Sequence, residues 1–142
     1  MVELNLVHKD KSDVFYTVSK FPDGQQNITL SHLVKGSADY TSQTPLGLEV
    51  IIKSRLNNFM DLELIVCAVA SLRESCVETI HLYAPYILGA RSDRKFEIGS
   101  NNYLKDVICP IINSLELNSV SVLNPHSYCL EMGLKNFISL ET

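Results

Sequence analysis

The sequence predicts an α/β fold: a mostly parallel sheet flanked by helices, with an antiparallel hairpin towards the N-terminus. Three observations predict it. From Glu49 onwards, short β-branched runs alternate with stretches of helical periodicity, the order of βαβ units. Before Glu49, two β-branched and aromatic runs flank Phe21-Pro22-Asp23-Gly24, a turn sequence in which Pro pre-sets φ and Gly tolerates a positive φ. The chain has 142 residues, the size of one domain, and at 46% hydrophobic it can bury a core without disulfides or metals.

The elements follow in order. Val2 to Val7 alternates and reads as a strand, Val14 to Ser19 as a second, and Gln26 to Leu33 resumes the pattern; together they suggest an antiparallel hairpin. Gly36 to Leu48 is rich in Ser, Thr, Pro and Gly and reads as a loop. Glu49 to Ile52 is too short for a helix and reads as a buried strand. Asn57 or Asn58 can cap a helix whose apolar positions run from Phe59 through Leu62, Ile65, Val69 and Leu72 to about Arg73. Glu78 to Tyr83 is the next strand, and Ala84 to Ser100 a long charged connection. Asn101 to Leu115 has helical spacing, with Pro110 inside it to kink or split it. Val120 to Leu123 is a further strand, followed by Asn124-Pro125-His126-Ser127.

The formal net charge of −4 argues against a general nucleic-acid or membrane-surface binder, so neither partner is expected. Cys67, Cys76, Cys109 and Cys129 form no C-x-x-C pair and read as buried, reduced thiols. The N-terminus has no signal-peptide pattern, and no apolar run approaches the roughly 20 residues of a membrane span. A cytoplasmic protein is the expectation.

Ligands of parallel sheets bind beyond the C-terminal ends of the strands, which directs attention to the segments after Tyr83 and Leu123. The first holds Arg91-Ser92-Asp93-Arg94-Lys95. Arg presents a planar fork of donors suited to phosphate oxygens, and Lys a point charge. Most charged runs are solvated surface, and position alone leaves the two readings even. The second holds His126, able to bind a metal or a phosphate, although a lone histidine is more often structural. A third group lies on the hairpin turn, where Phe21 can stack on a base while Asp23 and Gln25 read its edge. Taken alone, Phe21 reads more simply as packing on a core edge, and Asp23-Gly24 as making the turn.

Together, the three groups match one family in order and spacing. Ribose-phosphate pyrophosphokinases carry F-S-D-G-E, then P-Y-x-x-Y-A-R-Q-D-R-K, then D-L-H. The chain resembles them at Phe21-Pro22-Asp23-Gly24-Gln25, at Pro85-Tyr86-Ile87-Leu88-Gly89-Ala90-Arg91-Ser92-Asp93-Arg94-Lys95, and at Asn124-Pro125-His126. The similarity runs from about Lys20 to Phe137, and A-R-x-D-R-K after Pro-Tyr is its most specific part. Its flavour is that of the divergent phage versions.

The resemblance implies the N-terminal domain of a two-domain enzyme of phosphoribosyltransferase-like fold. That enzyme transfers the β,γ-diphosphoryl group of ATP to O1 of ribose 5-phosphate, with Mg2+, giving phosphoribosyl pyrophosphate and AMP. By position, Phe21 would stack on adenine, with Asp23 and Gln25 at its edge; in the family this hairpin reaches a neighbouring subunit, which implies a homo-oligomer. Arg91, with Ser92 beside it, would contact the nucleotide and its phosphates, Asp93 and Arg94 would hold the loop, and His126 would sit at the Mg-ATP phosphates. Arg91 and His126 are thus the implied catalytic residues, and His126 the implied metal neighbour.

The departures are specific. Gln25 stands for Glu, Ser92 for Gln and Asn124 for Asp, and Phe96 to Asn102 is shortened and lacks the Ser-Arg pair of the family's phosphate-sensing loop. Altered phosphate and ADP regulation is therefore expected. The catalytic Lys-Arg segment and the D-D-x-x-x-T-x-x-T loop of the second domain have no counterpart, so residues 1–142 read as one domain that binds ribose 5-phosphate only through a missing half. The chain alone is expected to lack turnover, and a sheet cut off in this way to leave apolar surface exposed. The substitutions keep open a non-catalytic, synthetase-associated subunit. An enzyme acting on a larger ribose-phosphate nucleotide such as ADP-ribose is a further variant.

Overall fold

The computed structural model describes residues 1–32, 47–90, 92, 95, 97–125 and 128–141. Five strands form a wholly parallel sheet: β1 (Val2–Asn5), β4 (Glu49–Lys53), β5 (Thr79–Tyr83), β6 (Ser119–Leu123) and β7 (Phe137–Leu140), side by side in that order. β2 (Phe15–Lys20) and β3 (Gln26–His32) form a separate antiparallel hairpin. The expected grouping of the first three strands is thus corrected. Only the second and third pair with each other, while β1 lies parallel to β4, with Leu4 opposite Ile52.

Local chemistry explains the departure of β1. Ser12 Oγ accepts from Asn5 N and donates to Val14 O, and Asn5 Oδ1 accepts from the N–H groups of Val7 and His8. Asn5 and Ser12 are buried, so these bonds satisfy a bend that water does not reach. The Tyr16 hydroxyl donates to Asn5 O at 2.6 Å, and its burial raises the phenol pKa.

Burial alternates along the inner strands. Val50, Ile52, Ile80, Leu82, Val120 and Val122 are buried, and by register they share one face. Ile51, His81 and Ser119 form a row on the opposite face and are half-buried. Parallel sheets covered on both sides read as continuous apolar runs, so this alternation marks a core concentrated on one face. The helices complete that core. α1 (Phe59–Glu74) buries Leu62, Ile65, Val69 and Leu72. Asn58 caps it, accepting from Asp61 N at 2.9 Å, which decides between the two expected caps.

Pro110 splits its segment as expected. Tyr103–Ile108 is π-helical and leads into α2 (Cys109–Ser114), with Pro110 in the first α-helical turn, where the hydrogen-bond pattern changes. α3 (Tyr128–Gly133) and β7 lie beyond the elements read from the sequence. Most of the predicted loop Gly36 to Leu48 falls outside the described residues.

The cysteine expectation holds in part. All four thiols are free and Cys109 is buried, but Cys76 is exposed. Cys76 occupies a left-handed turn (φ 66) just past α1 and packs against no core.

Candidate functional site at the C-terminal edge of the sheet

The loops after β5 and β6 meet. Ala84 N donates to Ser121 O at 3.0 Å, and Leu123 N to Pro85 O at 3.3 Å. Leu88 N bonds Leu56 O at 2.7 Å, which ties in the loop after β4. Between them is a cavity of about 220 Å³ lined by Tyr86, Ile87, Ala90, Asn124, Pro125 and Leu130 among others. It sits where parallel sheets receive ligands. A larger cavity, about 430 Å³, lies at the other end of the sheet against Asn113, Asn118 and Asn136. Those three amides hold backbone groups of Gly133, Lys135, Ile80 and Leu117, so they serve the fold. The smaller cavity is therefore the better candidate.

A glycine turn precedes the basic segment in the sequence. Gly89 has φ +82, and a Cβ there would stand 2.7 Å from Tyr103 Cδ2, so only glycine fits. Ser92 N then donates to Gly89 O at 2.7 Å, and Leu104 N to Ser92 O at 3.1 Å. Ser92 is half-buried in this turn and Lys95 is exposed. Arg91, Asp93 and Arg94 lie outside the described residues. So does His126, which follows Pro125; the preceding Asn124 turns with φ 44 while its N–H bonds Leu140 O at 2.6 Å.

The hairpin turn stands at the same edge. Phe21 N donates to Gln25 O at 2.7 Å and Gly24 N to Phe21 O at 2.8 Å, which closes the turn. Asp23 Oδ1 accepts from Gln25 N at 3.3 Å, so Asp23 has a structural task in the turn. Phe21 is 48% exposed, which leaves its ring available. Two residues that the sequence did not single out fix the hairpin. Glu63 Oε1 accepts from Gln26 N (3.0 Å) and Gln26 Nε2 (3.1 Å), and Gln26 Nε2 also donates to Met60 O. The contact joins positions 37 apart, and no local pattern announces it. Phe59, at the start of α1, meets Tyr103 edge to face at 6.4 Å, linking the hairpin side to the Gly89 turn.

Among the described residues, no group of three His, Cys, Asp or Glu side chains is placed to hold a metal, and no helix is long and apolar enough to cross a membrane.

Sheet, helices and hairpin together define a phosphoribosyltransferase-like α/β domain. The fold is similar to that of a solved structure, phosphoribosylpyrophosphate synthetase from Mycobacterium smegmatis, with a TM-score of 0.72 at 10% identity. The match covers 94% of this chain and 42% of that one, so the chain spans less than half of its neighbour's length. At that identity the likeness is one of fold. No protein-family model matches the chain, and no curated protein matches its sequence.

Proposed function

We propose that this domain is the ATP-binding half of a ribose-phosphate pyrophosphokinase. One observation carries the reading: Ala90 and Pro125, the residues immediately before Arg91 and His126, line the same cavity. Ala90 and Pro125, 35 positions apart in the chain, thus meet at one crevice, at the edge where the exposed Phe21 turn also stands. The fold likeness to a phosphoribosylpyrophosphate synthetase supports it, as does the order of the three motifs.

In this reading Phe21 stacks on adenine and Asp23 and Gln25 meet its edge. Arg91 and Ser92 bind the phosphates, Asp93 and Arg94 hold the loop, and His126 stands at the metal-bound phosphate oxygens. Mg2+, carried by ATP, supplies charge neutralisation. Diphosphoryl transfer needs positioning and charge stabilisation more than a protein nucleophile, because the sugar hydroxyl attacks. The acceptor, ribose 5-phosphate or a larger ribose-phosphate nucleotide such as ADP-ribose, belongs to a second domain. The enzyme works in the cytoplasm as a homo-oligomer.

Thermal unfolding with added ligands tests the assignment. A ligand at 100 times its Kd stabilises by about 2.7 kcal/mol. Mg-ATP is expected to raise Tm, and ribose 5-phosphate alone to leave it unchanged. The reverse pattern would place the sugar phosphate, not the nucleotide, on this domain.

The substitutions at Gln25, Ser92 and Asn124 favour a second reading, a non-catalytic subunit that co-assembles with a synthetase. Such a subunit would bind an active synthetase while giving no shift with Mg-ATP.

A further inference from the structure

One face of α1 serves the edge of the hairpin. β3 pairs with β2 on one side, and on the other Gln26 and Ile28 turn backbone groups towards α1. Glu63 Oε1 accepts from Gln26 N at 3.0 Å, Cys67 Sγ donates to Gln26 O at 3.6 Å, and Ser71 Oγ donates to Ile28 O at 3.2 Å. Glu63, Cys67 and Ser71 recur every fourth residue, which keeps them on one face of the helix. Four helical residues rise about 6 Å, and two strand residues about 6.8 Å. The two repeats nearly agree, so α1 takes the place of a third strand against β3.

A ladder of this kind fixes register. Sliding the hairpin along α1 by two residues would take Gln26 N away from Glu63 and leave it without its acceptor. The rung nearest the turn is also reinforced by a side chain. Gln26 Nε2 donates to Glu63 Oε1 at 3.1 Å and to Met60 O at 2.8 Å. Gln26 follows directly on the Phe21–Gln25 turn, whose Phe21 ring is 48% exposed. Where Glu63 holds Gln26 therefore decides how far that ring stands out from α1.

We propose that Glu63 is a positioning residue for the nucleotide base: from α1 it holds the Phe21 turn at the height where the ring meets the base. The proposal rests on the reading of Phe21 given above, and it stands whether the ring serves its own copy or a neighbour. Among the described residues Glu63 makes no ion pair. It acts through an acceptor oxygen and not through its charge, so a glutamine, whose amide oxygen accepts in the same place, can replace it. In the same reading the phosphates fall to Arg91 and Ser92, so Glu63 bears on the base alone.

Calorimetric titration with Mg-ATP, and with Mg-tripolyphosphate, which has phosphates but no base, is the test. Glu63→Ala is expected to weaken Mg-ATP about tenfold, the order of one base–aromatic stack, and to leave Mg-tripolyphosphate unchanged. Glu63→Gln is expected to bind both as the wild type does. In a Phe21→Ala background, Glu63→Ala is expected to have no further effect on Mg-ATP. If Glu63→Ala does not fold, Gln26→Ala reads the same contact with a smaller loss, because it drops the side-chain bonds and keeps the backbone bond. Mg-ATP affinity that Glu63→Ala leaves untouched, a loss shared by Mg-tripolyphosphate, or a Glu63→Gln as weak as the alanine would overturn this proposal while the nucleotide reading stands. A folded wild type that binds no Mg-ATP would overturn both.

Discussion

Cys76 sits where helices usually place glycine. Val77 N bonds Leu72 O at 3.0 Å and Cys76 N bonds Arg73 O at 2.9 Å, the two bonds of a Schellman end, and the residue between them takes φ 66. Cys76→Gly should therefore stabilise the domain by about 0.5–1 kcal/mol, read as a rise of a few degrees in Tm. Gly89→Ala should do the opposite, costing about 1–3 kcal/mol because the methyl meets Tyr103 at a positive φ; urea unfolding measures it. A third residue sets a pH dependence. Lys53, 2.8 Å from Glu3, holds that carboxyl below its ordinary value by hydrogen bonding, against the opposing effect of burial. The pair thus stabilises at pH above the ordinary carboxylate range, and this stability is lost as pH falls through the lowered value. Glu3→Gln should flatten the stability loss between about pH 5 and 3. Burial, with Cys129 nearby, pushes the Cys109 thiol up to about 11, so a thiol reagent at mild alkaline pH should label exposed Cys76 first and spare Cys109. A short motif does not reveal whether a cysteine faces the core or ends a helix, which is why Cys76 was misread as buried.

The hairpin and α1 act as one unit. Gln26→Ala removes both side-chain bonds to α1 and should cost about 1–2 kcal/mol, with faster amide exchange concentrated in β2 and β3. Elements with strong periodicity or turn chemistry were legible in the sequence. α1 has its apolar stripe and its Asn cap, the hairpin its Pro-Asp-Gly turn, and the second helix its interruption at Pro110. α3 has only six residues and β7 four, one of them half-buried and three exposed, so neither offers enough periods to stand out. β1 was recognised as a strand, but its partner lies 48 positions away, and the bonds of the buried Asn5 and Ser12 help turn the chain out of the hairpin. The loops beyond β5 and β6, which flank the candidate crevice, were legible. The anchor between Gln26 and Glu63 was not, because contacts between distant elements leave no local pattern.

At the scale of the whole molecule, the core lies on one face of the sheet, and the loops after β5 and β6 meet at the C-terminal ends of the strands. Ile138 and Leu140, on the last strand of the sheet, are 44% and 38% exposed. The central proposal is that Arg91, next to Ala90 in the sequence, binds the phosphates of ATP. A calorimetric titration of Mg-ATP into the wild type and into Arg91→Ala tests it most directly. Losing a charge-assisted contact of about 1.5–3 kcal/mol should weaken binding about 10- to 100-fold. Equal affinity in the two proteins, or no heat from a folded wild type, would contradict the account.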